Sequence, residues 1–210
     1  DVFQHVQAEH DVEALGRKCV TVVANLGDRA SIPSLIETAK KSFASLDILV
    51  NCAGIIMRGA EYEIEAFKKV VDVNLTGTMR MCVAAKPLLA KSGNAAIVNT
   101  ASMLSFFGGA LVPAYAASKG GIAQLTKSLA IAWAADGIRV NAIAPGWIST
   151  ELTRGLTSDE ARSAAILART PLKRWGEPAD IGGSIVYLCS DAARFVTGIV
   201  LPIDGGYAAM

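Results

Sequence analysis

Three short apolar runs, each ending in a cluster of small or polar residues, constrain this chain more than any other feature. Residues 46–50 lead into Asn51-Cys52-Ala53-Gly54, residues 95–98 into Asn99-Thr100-Ala101-Ser102, and residues 138–140 through Asn141-Ala142-Ile143-Ala144 into Pro145-Gly146. Long stretches of helical spacing lie between them. Short bounded strands alternating with helices point to a parallel sheet with crossover helices, because each crossover returns the chain to the same end of the sheet. Ligands of such sheets bind beyond the carboxyl ends of the strands. The three clusters should therefore meet along one edge of the sheet, with Ser102 among them.

The expected path is helix 1–15, strand 18–24, helix 31–44, strand 46–51, helix 63–90 and strand 95–101. It continues as helix 113–135, strand 138–144, short helices within 150–169, helix 178–190 and strand 198–203. The 210 residues suit one domain, 1–210. Apolar residues make up 52% of the chain and aromatics 6%, so the core is aliphatic and alanine-rich. No apolar run reaches the roughly 18 residues that a membrane span requires, and the polar opening has no apolar core of a signal peptide. A net charge of +1 with scattered basic residues leaves no nucleic-acid footprint. Cys19, Cys52, Cys82 and Cys189 are far apart and read as reduced thiols of a cytoplasmic protein, not as disulfides or a metal site. His5 and His10 are the only histidines, which speaks against a histidine triad or a zinc centre.

Chemistry concentrates in the stretch TASMLSFFGGALVPAYAASKG, which holds Ser102, Tyr115 and Lys119. An isolated tyrosine titrates near pH 10, and a neighbouring ammonium favours its phenolate. Residues i and i+4 share a helix face, so Lys119 lies one turn along from Tyr115. Ser102 adds a hydrogen-bonding group if the loop folds back. Such a trio moves a proton to or from a carbinol or carbonyl oxygen.

Six elements in order resemble the classical short-chain dehydrogenase/reductase family over nearly the whole chain. They are Asn51-Cys52-Ala53-Gly54, Asn74 within VNLTG, Ser102, Tyr115-x-x-x-Lys119, Pro145-Gly146 with Thr150, and Asp204-Gly205-Gly206. The resemblance implies a Rossmann-like doubly wound α/β fold and NAD- or NADP-dependent interconversion of an alcohol and a ketone. It implies Tyr115 as general acid/base, Lys119 depressing its pKa and binding the nicotinamide ribose, and Ser102 orienting the substrate oxygen. Asn74 would hold a water that relays protons from Lys119. Asn51, Ala53 and Gly54 would pack beneath the cofactor, Pro145, Gly146 and Thr150 would line the nicotinamide, and Asn25 would sit near the adenine. Family members begin with a strand, a glycine-rich turn and a helix that hold the pyrophosphate. This chain opens in what reads as a polar helix, so an N-terminal βαβ unit is expected to be missing.

The segments SMLSFFGGALVPAYAASK and RWGEPADIGG are similar to sugar-acid dehydrogenases of the gluconate 5- and 2-deoxygluconate 3-dehydrogenase types. A sugar acid needs a cation for its carboxylate, and Arg58 and Arg154 are the candidates. Met103, beside the serine, would line the pocket under a lid at about 146–171. The resemblance also implies helix pairing between subunits in a homotetramer, since segments 79–90 and 122–135 are apolar on most sides. Three rivals remain: a 3-oxoacyl thioester reductase, a serine hydrolase using Ser102 with Lys119 (which lacks a GxSxG elbow), and a non-catalytic oligomeric binding protein on the same fold.

Overall fold

The computed structural model describes residues 16–209. The expected helix 1–15, with its two histidines, lies outside the described residues. Four parallel strands form one sheet in chain order: β1 (Ile48–Asn51), β2 (Ala95–Thr100), β3 (Ile138–Pro145) and β4 (Val200–Ile203). Helices α1 (Ser31–Ser42), α2 (Ile64–Val71), α3 (Gly77–Ser92), α4 (Pro113–Trp133), α5 (Arg154–Thr157), α6 (Glu160–Arg169) and α7 (Pro178–Cys189) connect or cover them. This is the Rossmann-like parallel architecture expected, in one domain.

Alternation along β2 assigns the two faces of the sheet. Ile97 packs with Ile32 and Ile36 of α1, Cys82, Ala85 and Leu89 of α3, and Leu129 and Trp133 of α4. Its neighbour Val98 points the other way, beneath Leu188 of α7. Helices cover both faces of the sheet, and the strand ends remain open to approach. Polar side chains stitch this centre together: Asn51 Nδ2 donates to Asn99 Oδ1 (2.9 Å), and Asn99 Nδ2 donates to Thr126 Oγ1 (3.0 Å). Buried amides need such partners, and here they tie β1, β2 and α4 into one register.

Two expectations change. Residues 18–24 form no strand, although their β-branched pattern called for one. A strand exists only through its ladder, and β1 is paired on the β2 side alone, with Ile48 and Val50 partly open to solvent. The helix expected over 63–90 is present but not regular: a π-turn, Asp72–Thr76, separates α2 from α3. Such turns widen a helix by one residue and recur at functional sites. Asn74 sits in this one.

Candidate active site

The expected convergence at the strand ends is present. Gly54, Ser102, Met103, Tyr115, Lys119, Pro145, Gly146 and Thr150 all line one cavity of about 650 Å³, as does Arg58. The turn after β2 places the serine. Ser102 caps a short 3-10 turn, Met103–Ser105, its hydroxyl accepting from Leu104 N at 3.2 Å. Ser105 then donates to Lys119 O at 2.6 Å and accepts from Ser102 N at 3.3 Å. The loop is thereby pinned to α4, and the serine to the helix that carries the tyrosine and lysine.

Pro113 opens α4, where its missing N–H costs nothing and its fixed φ suits the first turn. Lys119 lies one turn beyond Tyr115, with Nζ 5.5 Å from the tyrosine ring centroid. Only 3% of Lys119 is exposed, and its Nζ donates to Thr100 O at 2.5 Å. Burial drives its pKa down to about 8, and the nearby Cys52 partly opposes that. Burial also lifts the Tyr115 phenol above its ordinary value; a hydrogen bond from Ser102 pulls it back, and Glu61 raises it further. Desolvation thus sets a direction opposite to the depression by Lys119 that the resemblance implies.

Asn74 is buried in the π-turn and does not face the cavity. Its Oδ1 accepts from Ile55 N at 2.8 Å, and its Nδ2 donates to Ile55 O at 2.9 Å and to Ser118 Oγ at 3.2 Å. A methyl group built on Gly54 would lie 3.4 Å from Asn74 Oδ1 and 3.7 Å from Lys119 Nζ. Gly54 thus lies against both the asparagine and the lysine. Asn51 turns its side chain into the Asn99 network instead of the cavity, and Ala53 does not line it. Gly146 approaches the chain after β4 so closely that a Cβ would stand 2.6 Å from Asp204 Cα.

Asn25 and Arg154 are not brought to this site. Asn25 Oδ1 accepts from Gly27 N at 3.0 Å, closing the turn that precedes α1. Arg154 is exposed on the lid and pairs with Glu151, so its guanidinium is engaged within its own helical turn. Within the lid, Leu156 and Ile166 are buried, while Leu152 and Thr153 line the cavity.

Two residues that no motif flagged stand out. Glu61, 1% exposed, accepts from Met57 N (2.9 Å) and from Tyr115 N (2.8 Å). It joins the loop after β1 to the first turn of α4, where a carboxylate also favours the helix dipole. Arg169, at the end of α6, lies over the Tyr207 ring at 4.3 Å and over the Phe107 ring at 5.3 Å. Its partners come from two distant segments, so spacing carries no trace of it. Among the described residues, no group of three or more His, Cys, Asp or Glu could hold a metal ion.

Comparisons with known proteins agree with this geometry. A family model described as enoyl-(acyl carrier protein) reductase matches residues 3–208. The 2-dehydro-3-deoxy-D-gluconate 5-dehydrogenase of Pseudoalteromonas atlantica is 45% identical over 203 residues, covering 95% of this chain and 79% of that protein. The Escherichia coli K12 protein of the same name is 41% identical over 212 residues, covering 100% of this chain and 84% of its own length. Among solved structures, a gluconate 5-dehydrogenase from Burkholderia cenocepacia in complex with NADP and tartrate superposes with a TM-score of 0.91. It is 32% identical, over 97% of this chain and 81% of that one. With Ser102, Tyr115 and Lys119 gathered at the strand ends and these relatives across its length, the chain belongs to the short-chain dehydrogenase/reductase family, whose members work with NAD or NADP.

Proposed function

We propose that this protein interconverts a secondary alcohol and a ketone on a sugar acid of the gluconate or 2-dehydro-3-deoxygluconate type. The observation that carries this reading is the placement of Ser102, Tyr115 and Lys119 around a single cavity at the carboxyl ends of β1, β2 and β3. The names of the relatives support the substrate class. The cavity also fits the nicotinamide end of the cofactor: Gly54 and Gly146 offer no side chain, Thr150 offers a hydroxyl, and Lys119 offers an ammonium for the ribose. When bound, the cofactor supplies the hydride chemistry at the carbinol carbon.

The residues of this chain handle the proton. In oxidation Tyr115 Oη, as phenolate, accepts the proton of the substrate hydroxyl; in reduction it donates that proton to the carbonyl oxygen. Ser102 donates a hydrogen bond to the same oxygen and holds it against the phenol. Lys119, at about 8, exchanges protons near neutral pH and so reprotonates or drains the tyrosine. Asn74 keeps the loop at Ile55 clamped to α4 through Ser118, and a water on its Oδ1 side would connect Lys119 to solvent.

The test is turnover of a panel of sugar acids and their keto forms with NAD and NADP, followed by nicotinamide absorbance. Gluconate-type oxidation that disappears in Tyr115→Phe is the expected result; turnover surviving in that variant removes Tyr115 from the role. A second reading, reduction of a 3-oxoacyl thioester, is favoured by the apolar lining from Met103, Leu104, Phe107, Leu111 and Leu152. An acetoacetyl thioester in the same panel separates the two.

A further inference from the structure

We propose that Arg169, seated against the rings of Phe107 and Tyr207, is the receptor for the substrate carboxylate; this rests on the sugar-acid reading above. Arg169 lines the same cavity as Ser102 and Tyr115. Its guanidinium carbon lies 4.3 Å from the Tyr207 ring centre and 5.3 Å from that of Phe107, and because the two rings are themselves 6.0 Å apart, both bear on it from one side. Trp147 backs Tyr207 edge-on at 6.1 Å, so the ring pair is braced by the loop after β3.

Two rings on one side of a guanidinium leave its remaining N–H groups free of them, and these form the fork that matches a carboxylate in bidentate fashion. One edge contact is already made, Nη1 to Tyr207 Oη at 3.5 Å, which is long for a hydrogen bond. No carboxylate pairs with Arg169 among the described residues, whereas Arg154, Arg162 and Arg174 each have an acidic partner. A cation seated against two aromatic rings, facing a cavity and lacking a counter-ion among the described residues, is placed to receive an anion, and the rings reduce the freedom it loses on binding one. Arg58 also lines the cavity, but among the described residues no ring or acid fixes its guanidinium, so it is the weaker receptor.

The experiment compares D-gluconate with gluconamide, its uncharged amide, in the unaltered protein and in Arg169→Met, Arg169→Lys and Arg58→Met. The expected result is a fall in the gluconate-over-gluconamide ratio of kcat/KM of roughly ten- to a hundred-fold in Arg169→Met, the span of one charge-assisted hydrogen-bonded pair. Arg169→Lys keeps the charge without the fork and should recover part of the ratio. Calorimetry with tartrate, read without turnover, should show binding by the unaltered protein that Arg169→Met loses. If the unaltered protein oxidises gluconate and Arg169→Met keeps the full ratio, the proposal is overturned while the sugar-acid reading stands. Loss of the ratio in Arg58→Met alone overturns it equally and moves the receptor to Arg58. If the unaltered protein neither oxidises a sugar acid nor binds tartrate, the sugar-acid reading fails and the proposal falls with it.

Discussion

Tyr115 and Lys119 carry opposing demands that a four-residue spacing cannot express. Burial raises the phenol and lowers the amine to about 8, so at neutral pH the neutral phenol faces a mostly protonated lysine. Oxidation needs the phenolate, and its rate should climb with pH as that form accumulates. Glu61 adds to the phenol's resistance. Replacing it by glutamine removes a negative charge and should shift the Tyr115 titration towards acid, seen as tyrosinate absorbance against a Tyr115→Phe reference. The same variant orphans one of two backbone N–H groups, costing about 1–3 kcal/mol of stability. An unmoved titration would mean that Glu61 only braces the loop. Lys119 also has a sign that can be checked. Its folded pKa lies below its unfolded value, so burying the charged amine penalises the fold below pH 8, and the penalty fades as pH rises towards 10.5. Lys119→Met should therefore melt higher than the unaltered protein near pH 7, by up to roughly 3 kcal/mol. That advantage should shrink towards pH 10.5, and activity should be lost throughout.

At the scale of elements, the site is assembled by ends and turns. The π-turn between α2 and α3 aims Asn74 at the Ile55 backbone, and the 3-10 turn after β2 aims Ser102 at α4. Gly146 lets the chain after β3 pass against Asp204 beyond β4. Gly146→Ala would push a methyl into that contact, an overpacking cost of about 1–3 kcal/mol. A lower melting temperature should accompany reduced turnover, because Pro145 and Thr150 on the same loop line the cavity. An alanine variant with unchanged melting and activity would show that this contact relaxes freely.

For the whole molecule, α3 and α4 bury one side each and leave another open. Ile131 is 82% exposed and Val83 51%, on helices whose buried residues face the sheet. We propose that these open stripes pair between copies of this chain, as the sequence pattern implies, because apolar stripes on long helices are ordinarily covered. The mass by light scattering should then be a multiple of the chain mass, and Val83→Asp with Ile131→Asp should reduce it. A monomeric mass in the unaltered protein removes the proposal. Among the described residues no helix is long and apolar enough to cross a membrane.

The parallel sheet, its strand-end clusters and the Ser102, Tyr115 and Lys119 trio were all legible in the chain, because each depends on local periodicity or short spacing. Strand 18–24 misled for the converse reason: β-branched residues state a propensity, but a strand needs a neighbour to bond. The π-turn around Asn74 was invisible since its pattern matches an ordinary helix. Asn51 and Arg154 matched site patterns, yet their side chains are committed to Asn99 and Glu151. Glu61 and Arg169 had no signal at all. Glu61 reaches Tyr115 N across 54 residues, and Arg169 meets rings from two other segments. Sequence determines the short strands with ladder partners, the helices between them and which groups share an element. Only the packing of one element on another decides which charge loses its water, which acid caps the helix that carries Tyr115 and which arginine is left facing the cavity.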